Sequence, residues 1–150
     1  MKVVIQRVSS AFVSIEGDVK SNIGRGLLIL AGFENEDIDE DLMWMSKKIA
    51  SLRVFDDHEG VMNLPITEVS GEILVISQFT LHAKTKKGNR PSYIKAAKPS
   101  VAIPLYESFV KILSEEAETD VQTGEFGADM KVNLINDGPV TIIIDSKNKE

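Results

Sequence analysis

Ser77, Gln78 and Thr80 are the side chains whose placement could do chemistry, because they come directly after the apolar run Ile73-Leu74-Val75-Ile76. Four apolar residues, three of them β-branched, with Gly71 just before and polar residues after, read as a central strand. Such a strand normally stops where polarity begins, whereas this one runs on through Ser77-Gln78-Phe79-Thr80-Leu81. Polar groups held beside a core without partners would cost roughly 1–3 kcal/mol each. Either they bond to neighbouring backbone, as strand-end hydroxyls and amides often do, or they meet a ligand at the strand's carboxyl end. Both accounts stand on these residues alone.

The rest of the inventory narrows the chemistry. The chain has two histidines and no cysteine, so zinc hydrolysis would need carboxylate ligands in an arrangement that is not found. Asp56-Asp57-His58-Glu59-Gly60 lacks the ligand spacing of a calcium loop and reads as a turn. A hydroxyl relay would have to pass through His58 or His82. In an extended strand His82 shares a face with Thr80, but side chains two apart lie about 6–7 Å from each other, too far for a base to hold the hydroxyl. Gly24-Arg25-Gly26 lacks the third glycine and the helix of a dinucleotide fingerprint. No metal, no cofactor and no strong base are expected, so the substrate should need little activation.

The elements that must position these residues fit one domain over 1–150, long enough to bury about two thirds of its unfolded surface. Hydrophobic content of 43% and charged content of 27% are ordinary for a soluble globular protein. No apolar run approaches the ~18 residues of a membrane span, and the N-terminus lacks a signal peptide's apolar core; with zero cysteines this fits a cytoplasmic protein. Residues 2–15 and 19–23 read as a hairpin turning at Glu16-Gly17-Asp18, and Leu27-Leu28-Ile29-Leu30-Ala31 as a short buried strand. Ile38, Leu42, Met45, Ile49 and Leu52 recur on one helical face, with Trp44 at its edge. A second helix is expected from Ser100 to Ala117, capped by Ser100, with Pro104 in its first turn and Ala102, Tyr106, Phe109 and Leu113 as its stripe. Residues 130–135 and 140–144 read as two strands joined by a turn at Asp137-Gly138, then a frayed charged tail, 145–150. About seven strands and two helices imply an α/β layered domain dominated by antiparallel pairing.

Charge adds a local signal. Net charge is −6, from 17 basic and 23 acidic residues. Residues 82–98 nevertheless carry Lys84, Lys86, Lys87, Arg90, Lys95 and Lys98 with no acid, leaving −12 for the remainder. An acidic protein repels nucleic acid, yet a basic loop directly after the polar strand end can hold a few phosphates. A solvated lysine loop is the alternative.

Several separated motifs occur in one order: Ile5-Gln6-Arg7-Val8, Leu52-Arg53-Val54-Phe55, Ser77-Gln78-Phe79-Thr80-Leu81, Lys87-Gly88-Asn89-Arg90-Pro91-Ser92, Thr123-Gly124-Glu125-Phe126-Gly127-Ala128-Asp129-Met130 and Asn136-Asp137-Gly138-Pro139-Val140-Thr141. Together they resemble the D-aminoacyl-tRNA deacylase (D-tyrosyl-tRNA deacylase) family over nearly the whole chain. The resemblance implies two main helices packed on curved sheets, a homodimer with both active sites at its interface, and hydrolysis of the ester in D-aminoacyl-tRNA. It implies catalytic roles for Gln78 and Thr80, and substrate contacts from Ser77, Phe79, Gly127, Ala128 and Met130.

By the same resemblance the Gly138-Pro139 bond is cis and projects into the partner's pocket as a main-chain wall against L side chains. Arg7 matches the position that anchors this wall; without the resemblance it would read as an arginine on an exposed strand face. Lys84, Lys86, Lys87 and Arg90 would meet tRNA. Thr80's counterpart has been regarded as a nucleophile. The absence of a base here favours positioning, with the ribose hydroxyl beside the ester assisting. A non-catalytic RNA-binding dimer and a hydrolase of small D-aminoacyl esters are the alternatives.

Overall fold

Chain connectivity already dictates the parallel pairings in this fold, because two of its strands are entered through helices. The computed structural model describes residues 1–150. β1 (Lys2–Ile15) and β2 (Asp18–Ile23) form an antiparallel hairpin. Its turn holds Glu16 at φ 51° and Gly17 at φ 85°, the two positive φ values of a type I′ connection. β3 (Gly26–Gly32) then pairs antiparallel with the first half of β1.

From β3 the chain crosses through α1 (Asp39–Ser51), the small hairpin β4 (Phe55–Asp56) and β5 (Met62–Leu64), and returns as β6 (Glu72–Ser77) parallel to β3. A second crossover through α2 (Pro99–Ala117) brings β7 (Val121–Thr123) parallel to β6. β8 (Lys131–Asp145) lies along the other side of β1. The strand order is β2-β1-β3-β6-β7 with β8 on β1, a curved, mostly antiparallel sheet with both helices packed on it, as the layered α/β reading expects. No helix is long and apolar enough to cross a membrane.

Alternation along the central strands divides the core in two. Leu27, Ile29 and Ala31 of β3, with Ile73 and Val75 of β6, pack under the helices against Leu42, Met45, Ile49, Phe109 and Leu113. The intervening Leu28, Leu74 and Ile76 point the other way, into a smaller core with Val8, Ala11, Val13 and Ile23. That second core exists because β1 and β2 curl over the sheet; the Ser21 hydroxyl donates to the Thr123 carbonyl at 2.6 Å across the closing edge.

Four expectations change. β6 ends at Ser77, and residues Phe79–His82 form a 3-10 turn rather than more strand. α2 starts at Pro99 with Lys98 at its N-cap; Pro99 suits the first helical position, so Ser100 falls inside the helix and caps nothing. Asp137-Gly138 joins no hairpin, because β8 is one strand paired with β1 along its length. The tail beyond Asp145 is docked. Ser146 is buried and its N–H donates to the Met1 carbonyl at 2.9 Å, and its hydroxyl accepts from the Met1 ammonium at 2.8 Å. Lys147 reaches the Asp41 carboxylate at 2.6 Å. The Lys149 ammonium lies 4.4 Å from the centre of the half-buried Trp44 ring.

Of Asp56-Asp57-His58-Glu59-Gly60, Asp56 ends β4 and the rest turns the chain into β5. The Asp57 carboxylate accepts from the Val61 N–H at 3.0 Å and the Glu59 N–H at 2.9 Å, which holds its pKa below the ordinary value.

Candidate active site

The carboxyl ends of the parallel strands β3 and β6 lie side by side, with Ala31 opposite Ser77, the place where open α/β sheets commonly take ligands. The ladder closes with one more bond, Gln78 N–H to the Ala31 carbonyl at 2.8 Å. The chain then leaves the sheet into the Phe79–His82 turn, whose first internal bond is Leu81 N–H to the Gln78 carbonyl at 3.3 Å. The N–H groups of Phe79 and Thr80 precede that bond and have no partner within the turn.

A cleft of about 320 Å³ opens there. Ser77, Gln78 and Phe79 line one side, Ala31 and Gly32 of β3 with Phe33 just beyond it the back, and Phe126, Gly127, Ala128 and Met130 the facing loop. Gly127 turns that loop at φ 80°. Gly32 is required by close approach: a Cβ would meet the Gln78 carbonyl oxygen at 2.7 Å and the His82 ring at 3.1 Å. Most of the lining is apolar, so the few polar groups at the mouth set orientation.

Those polar groups are tied together. The Gln78 amide Nε2 donates to Thr80 Oγ1 at 2.5 Å. Thr80 makes no hydrogen bond to a carboxylate or an imidazole. His82, expected on the Thr80 face of a strand, is instead buried behind Gly32; its Nδ1 lies 3.3 Å from Glu34 Oε1 and its Nε2 has no partner. The turn that replaces the strand therefore separates the roles of these two residues.

Arg7 is buried, which corrects the exposed-face reading. Its Nη1 donates to the Val54 carbonyl at 2.7 Å and meets Asp56 Oδ1 at 3.2 Å, and its Nε donates to the Asp137 carbonyl at 2.9 Å. The register explains the arrangement: Gln6 pairs with Thr141 and Val8 with Asn136, so residues 137–140 bulge from β8 opposite Arg7 alone. Asn136 closes the base of the bulge, accepting from the Val140 N–H at 2.8 Å and donating to the Thr141 hydroxyl at 3.0 Å. Within it the Gly138-Pro139 bond is cis and Gly138 has φ 138°.

One chain does not bring all the expected residues together. Ser77, Gln78, Phe79, Gly127, Ala128 and Met130 share the cleft, with Thr80 joined through Gln78. Arg7 is level with Leu27 on β3, five steps from Gly32 and so about 16 Å along the strand. Gly138 and Pro139 lie with Arg7, outside the cleft of their own chain.

Lys84, Lys86, Lys87 and Arg90 sit on an exposed loop closed at its base by paired bonds between Lys84 and Ser92, at 2.8 and 3.0 Å. Sequence reasoning missed Gly32, Ala97 and Ala102 in the cleft, and Tyr93, whose ring meets Phe79 edge-to-face at 5.0 Å. Small residues at a strand end and a helix start were the only signal for the first three.

Residues 4–145 match the family model described as D-Tyr-tRNA(Tyr) deacylase. D-aminoacyl-tRNA deacylases of Bacteroides thetaiotaomicron and Flavobacterium psychrophilum are each 65% identical over 150 residues, covering 100% of both chains. A solved structure named c-Myc DNA Unwinding Element Binding Protein superposes with a TM-score of 0.90 at 40% identity, covering 97% of this chain and 98% of the other. Fold, cleft and relatives define a hydrolase that acts on an ester bond. The chain belongs to the D-Tyr-tRNA(Tyr) deacylase family.

Proposed function

We propose that the chain hydrolyses D-aminoacyl-tRNA to free tRNA and a D-amino acid and spares the L-aminoacyl form. The observation that carries the mechanism is the Gln78–Thr80 hydrogen bond at the cleft mouth. Because Thr80 Oγ1 accepts from the amide, its electron density is engaged and no base stands ready to take its proton. Thr80 then orients rather than attacks. Water adds to the ester carbonyl carbon, the bond to the ribose oxygen breaks, and the ribose oxygen takes up the proton. The neighbouring ribose hydroxyl assists, while the Phe79 and Thr80 N–H groups meet the developing oxyanion.

Chirality is set by a wall rather than by a pocket for the D side chain. Main-chain atoms at Gly138 and Pro139 cannot change rotamer to admit an intruding group, and Arg7 fixes their loop through Asp137. The distance between this loop and the cleft of its own chain supports a homodimer in which each subunit supplies the wall of the other's site. Glycine has no side chain to reject, so glycyl-tRNA would be cleaved too. Phe79 borders the terminal adenosine, and Lys84, Lys86, Lys87 and Arg90 hold phosphates.

The test is to monitor ester loss from matched D- and L-aminoacyl-tRNA at catalytic protein concentrations. Rapid loss of D and glycyl esters with L preserved is expected. Binding of tRNA with no ester loss would leave only an RNA-binding protein.

A further inference from the structure

The chain has nine aromatics: Phe33, Phe55, Tyr106 and Phe109 are buried, and Trp44 and Phe126 are half-buried. Only Phe12, Phe79 and Tyr93 are more than a third exposed. Two of these three meet at the cleft mouth, with ring centres 5.0 Å apart and planes at 75°. Ile94, beside Tyr93, is 78% exposed, the most exposed of the large apolar residues. The corner is held at both ends. The Lys84–Ser92 pairing fixes the chain before Tyr93, and the Ala96 N–H bond to the Tyr93 carbonyl, 3.0 Å, fixes it after. Tyr93 thus stands at the root of the loop that carries Lys84, Lys86, Lys87 and Arg90.

We propose that Tyr93 and Ile94 form a stacking ledge for the base preceding the terminal nucleotide of a single-stranded RNA 3′ end, with Phe79 taking the terminal one; this rests on the hydrolase reading of the cleft. Exposed ring faces next to clustered cations, on a chain that is otherwise acidic, match a polyanion that also presents flat apolar faces. A duplex covers its base faces and cannot use such a corner. Because the two rings stand at 75°, bases lying on them cannot stack on each other. Binding therefore splays the last two nucleotides, and this turns the terminal ribose and its ester toward Gln78 and Thr80. The ledge is tolerant of base identity, since every base has a face to offer.

Two measurements test it. An uncharged RNA trinucleotide with 2-aminopurine at its penultimate position should lose fluorescence on binding the intact protein, as the base stacks. Tyr93→Ala with Ile94→Ala should abolish that change and weaken binding about 10-fold, in the range found for one lost base–aromatic stack, while Tyr93→Phe should keep both. In parallel, kcat/KM is compared for D-aminoacyl esters of a dinucleotide and of a single nucleoside. Tyr93→Ala should lower the dinucleotide-to-nucleoside ratio about 10-fold, chiefly through KM.

An unchanged ratio would show that Tyr93 merely props Phe79, and persistence of the fluorescence change in the double variant would place the penultimate base elsewhere. Either result overturns the ledge. Fluorescence loss that depends on Tyr93, in a protein that cleaves no ester, would uphold the ledge and remove the hydrolase reading instead.

Discussion

At the residue scale the hydrogen bond from Gln78 to Thr80 is what favours positioning over attack in the proposed hydrolysis. A hydroxyl oxygen that accepts from an amide is a weaker nucleophile than a free one, and activation would need a base that no neighbour supplies. His82 is turned away and faces Glu34. Thr80→Ala should therefore keep measurable activity, with about a 10–100-fold loss in kcat/KM, or about 1.4–2.7 kcal/mol. Substrate lacking the ribose 2′-hydroxyl, with the amino acid on the 3′ oxygen, should lose more. Complete inactivity of a correctly folded Thr80→Ala protein would restore the nucleophile. The sequence made this region legible up to Ser77, where an apolar run met polar residues. Residues 78–82 were misjudged, because local propensity does not distinguish one more strand residue from a 3-10 turn. That choice is tertiary: the Gln78 N–H completes the ladder on Ala31, and β3 has only Gly32 left beyond it.

At the scale of elements, β8 shows why a strong local signal was misread. Asp-Gly between apolar runs marks a hairpin when each run needs a partner. Here both runs already have one in β1, so the same residues become a bulge. Apart from the family resemblance, Arg7 was opaque for a related reason, since its burial depends on Val54 and the β8 bulge, both distant in sequence. The basic loop was legible as charge and gives a direct prediction. Neutralising Lys86, Lys87 and Arg90 together removes about three single-strand phosphate contacts, so the log–log salt slope of tRNA binding should change by about 2. Binding titrations over a range of salt would reveal it, and an unchanged slope would reduce the loop to solvated surface. The docked tail gives another. Burial alone would raise the Asp41 carboxyl, but hydrogen bonds from Lys147 and the Ile38 N–H outweigh it and hold the pKa below the ordinary value. A depressed carboxylate stabilises the fold above its unfolded pKa of about 3.9, and that contribution fades as pH falls through the lower folded value. Lys147→Met should thus destabilise the protein at neutral pH, with the gap to wild type closing below about pH 4 in denaturant titrations. A gap that stayed constant into acid would assign the loss to packing instead.

At the scale of the whole molecule, the proposed exchange of walls would leave a single subunit's site incomplete. The bulge held by Arg7 and the cleft at Gln78 lie at different levels of β3, about 16 Å apart along the strand. Exposed Ile135 and Ile143 on β8, whose outer edge pairs with no strand of its own chain, are suited to cover by a second copy. In a two-fold dimer with exchanged walls, damage to the cleft and damage to the wall can be placed on different subunits. Gln78→Ala serves for the cleft. Gly138→Ala serves for the wall, because φ is 138° and a Cβ would stand 2.8 Å from Val140 Cγ2 and 3.0 Å from Arg7 Nη2. Each variant as a homodimer should be impaired, Gln78→Ala in rate and Gly138→Ala in rate or in discrimination against L esters. Refolding the two together creates mixed dimers in which one site joins an intact Gln78 to an intact Gly138 from the partner, and the other site is doubly damaged. Purified mixed dimers should recover about half of wild-type turnover, with rejection of L-aminoacyl-tRNA intact. If each chain supplied its own wall, every site would carry one lesion and mixing would restore nothing, so the activity of mixed dimers separates the two geometries without further structural work.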